Sequence, residues 1–453
     1  MGMQHDLYGN PVSSDAAALP YLNDFAEGFA ACEMRVLRIL DIAAQDPSPL
    51  VQTWCAALHL FAEDAQAAQQ ARPFLQCART QLAQAQDREA QWLAAIEAWA
   101  DGDTPLAAHR LEALVHHYPR DLAALKLAHY HAFNLGDSPA MLRMALNALP
   151  HCADIPYFHG MLAFAYEQCH LLGPAERAAR HALQLRFKEP WAHHALAHVL
   201  LTEGRVDEGL AFMQGASGSW TGLNSFMQTH NWWHLALFLM EDARHDEALQ
   251  LHDRQVWGVV PAYSQDQIGS ISLLARLELE GVDVGQRWQQ LSPYLLLRQH
   301  DHVLPFLDLQ YLYGLARAGQ WQAAQQLLAS MQSHADAQVQ PRLRTVWQDV
   351  CLPAARGLLA HAQGRYLQAA QLLGPLIARL AEIGGSHAQR DLFSQLYWSA
   401  LRHSGQWTAL QNLVQPWHNQ QPQSKRLAAH MRRIYQGLGL PEALAHRSPK
   451  PGG

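Results

Sequence analysis

Lysine is almost missing from this chain. Lys126, Lys188, Lys425 and Lys450 are its whole supply, arginine making up the rest of the 33 basic side chains. With a formal net charge of −7 and no basic stripe, the electrostatic footprint of a nucleic-acid binder is absent. Long apolar runs are missing too, since no segment approaches the roughly 18 uninterrupted apolar residues of a membrane span. Residues 1–19 are largely polar, carrying Asp6 and Asp15, and lack the basic start and apolar stretch of a secretory leader. The six cysteines, Cys32, Cys55, Cys77, Cys152, Cys169 and Cys351, form no C-x-x-C pair, which points to reduced thiols and not to a disulfide framework. Alternating Val/Ile/Thr runs bounded by hairpin turns are also lacking, so no strands are expected. These absences predict a cytoplasmic, strand-free protein that engages neither nucleic acid nor membrane.

What is plentiful is apolar material and histidine. Hydrophobic residues make up 49% of 453 positions, enough for a long continuous core, and charged residues only 16%. There are 27 histidines, close to the total of Lys and Arg.

The apolar residues fall into a recurring pattern of helix, short turn, and a small residue five positions after the turn. Gly102 with Ala107, Ala243 with Ala248, Gly319 with Ala324 and Gly364 with Ala369 share it. A small residue lets two antiparallel helices approach closely, and the turn needs a residue tolerant of positive φ. Pro119 and Pro190, each 17 residues beyond a glycine (Gly102, Gly173), stop the second helix and open the next unit. Turn anchors at 102, 136, 173, 204, 243, 281, 319, 364, 405 and 437 drift around the 34-residue period of a tetratricopeptide repeat. The fold class read from this is all-α: a right-handed α-solenoid of roughly ten or eleven tetratricopeptide-like helix–turn–helix repeats. The expected boundaries are an N-terminal extended segment over 1–19, one continuous solenoid over 20–440 and a disordered tail over 441–453. Residues 217–222 and 334–344 read as loop insertions, and Trp220 as an aromatic in the first of them.

Several blocks go beyond a generic repeat: Trp191-Ala-His-His194-Ala-Leu-Ala-His198, His230-Asn231-Trp232-Trp233-His234, Gly281 to Trp288, Asp301-His302, and Gly384-Gly385-Ser386-His387-Ala388-Gln389-Arg390-Asp391. In order and spacing, together with the opening Asp6-Leu-Tyr-Gly9-Asn-Pro11, the chain resembles the tetratricopeptide repeat protein 38 family. The resemblance implies the helical-repeat fold and singles out these residues without naming a reaction. The chain departs from it at one point: where related sequences carry a His shortly after the Asp308 position, it has Gln310.

His194 and His198 stand four apart on one helix, so their rings leave the same face, and His230 and His234 repeat the arrangement one unit on. At repeat positions that line the concave groove, two such pairs can converge on a metal, a proton-transfer site or an anionic ligand. The plainer alternative is that a histidine-rich chain carries spare imidazoles. Asp253, or Asp301 with His302, could complete a metal shell or orient a ring; as loop residues they could equally cap helices. Ser386 and Gln389 form a capping box in sequence. Arg390 beside the free N–H groups of that helix start is a seat for a carboxylate or phosphate. No HExxH, GxSxG, P-loop or paired-cysteine zinc motif occurs.

Two functions of different class follow. In the first, the groove binds a small polar or anionic ligand or a short peptide through His230, Asn231, Trp233, Asp301, His302, Ser386, Gln389, Arg390 and Asp391. In the second, the protein is an enzyme using His194, His198 and His234 as acid, base or metal ligands. A divalent metal is the one cofactor in view, with His194, His198, His230, His234 and Asp253 as candidate ligands. With no heptad run or long apolar edge, a monomer or weak homodimer is expected.

Overall fold

The computed structural model describes residues 4–441, so the expected tail over 441–453 lies, apart from residue 441, outside the described residues. Among these the chain is helical almost throughout, the one sheet being two antiparallel two-residue strands, Gln4–His5 and Pro11–Val12. Two compact units are distinguished, Met1–Leu196 with Trp220–Met227, and Ala197–Ser219 with Gln228–Gly453.

The first unit opens with the strand pair and α1 (Leu19–Ala31), then α2 (Pro49–Leu60), α3 (Ala67–Thr80), α4 (Asp87–Ala100), α5 (Thr104–His117), α6 (Leu122–Asn134), α7 (Ser138–Cys152), α8 (Pro156–Gln168), α9 (Leu172–Leu185) and the first turns of α10 (Pro190–Thr202), which from Ala197 on belongs to the second unit. The opening segment pairs Gln4–His5 with Pro11–Val12 and is pinned down. Arg88 is the pin: its guanidinium lies 3.1 Å from Asp6 and 2.7 Å from Asp121, and the three side chains are buried. Lys126 closes the C-terminal end of α1, donating to the carbonyls of Phe29 at 2.8 Å and Ala30 at 2.9 Å. That use of a cation follows from the unsatisfied carbonyls at a helix end.

The turns explain the hairpins. Gly102 and Gly136 have φ of 80° and 69°, and the aspartate after each, Asp103 and Asp137, caps the second helix by accepting from the N–H three residues on. Glycine suits this left-handed position because it has no Cβ to clash. The turn expected at Gly173 is instead made by His170, at φ 57°. With that correction the anchors 102, 136, 170 and 204 are spaced by 34 residues each, the tetratricopeptide period. Ala107, Ala175, Ala248, Ala324 and Ala369, each five residues past a positive-φ turn residue, are wholly buried, as close helix approach requires. The final turn likewise belongs to Gly439, at φ 69°, where 437 was expected.

The second unit takes the end of α10 and runs through α11 (Val206–Ser217), α12 (Ser225–Glu241) from Gln228 on, α13 (His245–Leu251), α14 (Ser264–Leu279), α15 (Arg287–Leu295), α16 (Pro305–Arg317), α17 (Trp321–Ala337), α18 (Leu352–Ala362), α19 (Tyr366–Leu373), α20 (His387–His403), α21 (Trp407–Gln420) and α22 (Lys425–Gly437). The loop expected over 334–344 is largely helix, because α17 continues to Ala337 and a further turn spans Pro341–Val346.

This unit closes on itself. Gln421 donates to the Thr202 carbonyl at 2.9 Å, Arg426 to Glu241 at 2.8 Å, and His430 meets Glu280 at 2.8 Å. Arg276 of α14 donates to the Ala388 carbonyl at the start of α20 at 2.6 Å. All six cysteines are free thiols. No helix among the described residues is long and apolar enough to cross a membrane.

Candidate metal centre

His194 and His198 sit one turn apart on α10, and His230 and His234 one turn apart on α12. The helical period gives each pair a shared face. Packing then brings one ring nitrogen of each of the four histidines within 4.8 Å of the others. Ring centroids of His198 and His234 are 4.5 Å apart, those of His230 and His234 4.8 Å. None of the four is more than 8% exposed. All four are interior side chains.

Burial pushes the His230 imidazole down to about 3, and a neighbouring charge on His198 would press it the same way. The cause is general: a charged ring loses hydration in a dry interior, and like charges repel. A neutral imidazole is the form that binds a metal. Trp233 stacks face to face on His230, centroids 5.1 Å apart, and the Arg276 guanidinium lies 5.5 Å from the Trp233 ring centroid. Burial lowers the Arg276 guanidinium to about 10, partly offset by the Asp391 carboxylate.

Beside His230 is a cavity of about 10 Å³, bordered by Trp233, Gln265, Ser272, Gln310 and Gln389, room for about one water molecule. Gln310, the position where the family resemblance breaks, therefore faces this interior space.

The remaining candidates divide. Asn231 is wholly buried on the same helix as His230. Gln389 reaches the cavity while its side chain also completes the capping box with Ser386 that the sequence predicted. Arg390 folds back on its own helix start, donating to the Gly385 carbonyl and lying 3.1 Å from His387. Asp391 lies 3.9 Å from Arg276. Asp253 stands outside the histidine cluster: it is half exposed and held by Arg287 at 2.6 Å and His252 at 3.0 Å. Asp301 pairs with Arg298 at 3.0 Å and His302 with Asp308 at 2.6 Å, also outside the cluster. Trp220 is buried and donates to His193 at 3.2 Å. Sequence reasoning missed Gln265 and Ser272, which lie on α14 and carry no motif; only packing brings them to the cavity.

No family model matches the chain. Among solved structures, a chain of the complex titled "Structure of Naa15/Naa10 bound to HypK-THB" is similar at 13% identity and a TM-score of 0.25, covering 96% of this chain and 69% of that one. At that score the similarity carries no argument about function.

Proposed function

We propose that the protein binds a divalent transition-metal ion through His194, His198, His230 and His234. One observation carries the reading: four imidazole nitrogens gather within 4.8 Å in a buried setting. Zinc–nitrogen bonds of about 2.0–2.1 Å put tetrahedral donors roughly 3.3 Å apart, so modest rotation of the rings would close the shell. Nitrogen donors without carboxylate or thiolate suit zinc, nickel or copper and disfavour magnesium or calcium. An ion fits the enclosure better than the polar molecule or short peptide expected from the sequence, since the adjoining space admits about one water. Membership of the tetratricopeptide repeat protein 38 family belongs to the same proposal. The blocks that carry the resemblance supply all four histidines as well as Trp233 and Gln389 at the cavity.

The test is elemental. Protein stripped with a chelator should take up about one equivalent of Zn²⁺ or Co²⁺, and at a free-ion concentration a hundredfold above Kd should gain about 2.7 kcal/mol of stability. His198→Gln with His234→Gln should abolish both effects. Glutamine is the better replacement because alanine at two buried positions would open a void. Failure of the stripped, folded protein to take up zinc, cobalt, nickel or copper at micromolar concentration refutes the proposal.

A second reading, metal-assisted or general acid–base chemistry by the same histidines, is favoured by the water-sized space beside His230. It requires one coordination position held by exchangeable water. A Co²⁺ derivative whose spectrum shows four imidazole donors and no exchangeable inner-sphere water would remove it.

A further inference from the structure

A second constellation, which shares no residue with the histidine cluster, lies in the second unit. His302 bridges Asp308 and Ser330: its Nδ1 is 2.6 Å from Asp308 Oδ2, and its Nε2 is 2.7 Å from Ser330 Oγ. A second imidazole, His300, places Nδ1 2.9 Å from the same Ser330 oxygen. The three come from different elements: His302 from the turn before α16, Asp308 from the first turns of α16, and Ser330 from the middle of α17.

The donors and acceptors along Asp308 Oδ2, His302 and Ser330 follow from their chemistry. Asp308 is wholly buried. Desolvation raises its carboxyl to about 6, with the His302 contact pulling the other way, so it is ionised at neutral pH and can only accept. His302 must then carry a proton on Nδ1, and in the neutral ring Nε2 is the acceptor for the Ser330 hydroxyl. Ser330 Oγ, having donated, accepts from His300 Nδ1–H. The proton leaves the serine towards a base whose tautomer is fixed by a buried carboxylate, and one further donor remains to stabilise charge on the oxygen.

The surroundings fix this arrangement without sealing it. His302 holds φ 46°, a region a non-glycine residue occupies at a cost when surrounding contacts impose it. Trp347 meets its ring edge-on at 6.0 Å, and His334, kept neutral by burial at about 4, lies 5.1 Å away. Asp301 is engaged by Arg298 at 3.0 Å. Ser330 is only partly buried and His300 is exposed, so a small electrophile can reach the hydroxyl.

We propose that Ser330 is an activated nucleophile, with His302 as its general base and Asp308 as the residue that orients the base, reacting with small acyl esters. In the step, Ser330 Oγ bonds to the ester carbonyl carbon as its proton passes to His302 Nε2. The carbon–oxygen bond to the leaving alcohol breaks, and the alcohol takes that proton. Water, deprotonated by the same imidazole, then releases the acid and restores the serine. The same attack on a fluorophosphonate forms an oxygen–phosphorus bond and expels fluoride, with the proton again passing to His302. This inference is independent of the metal centre.

The full-length protein should be treated with a fluorophosphonate probe and the adduct mapped by mass spectrometry. The expected result is a single adduct on Ser330, lowered at least about tenfold in His302→Ala and in Asp308→Asn. No adduct on Ser330 in the folded protein, or equal labelling in a folded His302→Ala variant, overturns the proposal. If those variants do not fold, Ser330→Cys decides. Its thiol should be alkylated by iodoacetamide at pH 7 about tenfold faster than glutathione, because His302 would take its proton. A rate equal to or below that of glutathione refutes the proposal as well.

Discussion

Arg426 holds Glu241 across 185 positions of the chain, Nε donating to Oε1 at 2.8 Å with both side chains almost wholly withdrawn from solvent. Ser424 donates to the other carboxylate oxygen. Because α22 is tied in this way to the end of α12, Glu241→Ala should strand a buried guanidinium and cost about 3–5 kcal/mol. Urea denaturation measures this. A loss below 1 kcal/mol would show that the closure is held by apolar packing alone.

Glu280 supplies a pH-dependent share of the same closure. Burial alone would raise its carboxyl, but the His430 bond and the charges of His430, Arg426 and Arg433 outweigh it and hold the group at about 2. A folded pKa below the unfolded one gives stability that is present above pH 4.5 and lost as pH falls towards 2. The loss is of order 3 kcal/mol. Glu280→Gln should therefore be less stable than the parent at pH 7 and converge with it near pH 2. Parallel acid titrations with an unchanged gap would count against the pair.

Glu189 runs the opposite way. Desolvation lifts it to about 8, against the N–H groups of Ala192 and Trp191 and the Lys126 charge, which pull it down. A raised carboxyl gives stability that is complete below about pH 4.5 and lost as pH rises through 8. Glu189→Gln, a stand-in for the protonated form, should match the parent at pH 5 and exceed it by a few kcal/mol at pH 8. Thermal melts at the two pH values separate the cases; a variant less stable at pH 8 refutes the assignment.

Two glycines on α11 test the repeat's close approach. A Cβ at Gly209, five residues past the turn at Gly204, would stand 2.0 Å from the Phe238 ring, whereas one at Gly215 meets nothing within 4 Å. Gly209→Ala should lose about 1–3 kcal/mol, and Gly215→Ala should gain roughly 0.5 kcal/mol. Equal effects in chemical denaturation would remove the packing explanation.

Much of the fold was legible because its determinants are short-range. A positive-φ turn followed five residues later by a small side chain is a local steric requirement, visible at Gly102 with Ala107 and Gly319 with Ala324. The turn at His170 escaped because a histidine does not advertise left-handed backbone. Only the strict 34-residue step from Gly136 marks it. The capping box of Ser386 and Gln389 was equally readable, being closed within one helical turn.

The i, i+4 histidine pairs were legible for the same reason, since one helix fixes which side chains share a face. Their enclosure was not. The burial of the four rings arises where separate helices pack, about which residue spacing says nothing. The relay through His302 has the same origin: 28 residues and a helix packing angle separate it from Ser330, and no local pattern joins them. By itself the sequence determined the helical hairpins and the faces on which histidines stand. Tertiary packing decided which of those faces became interior, because desolvation and side-chain convergence arise only when distant helices meet.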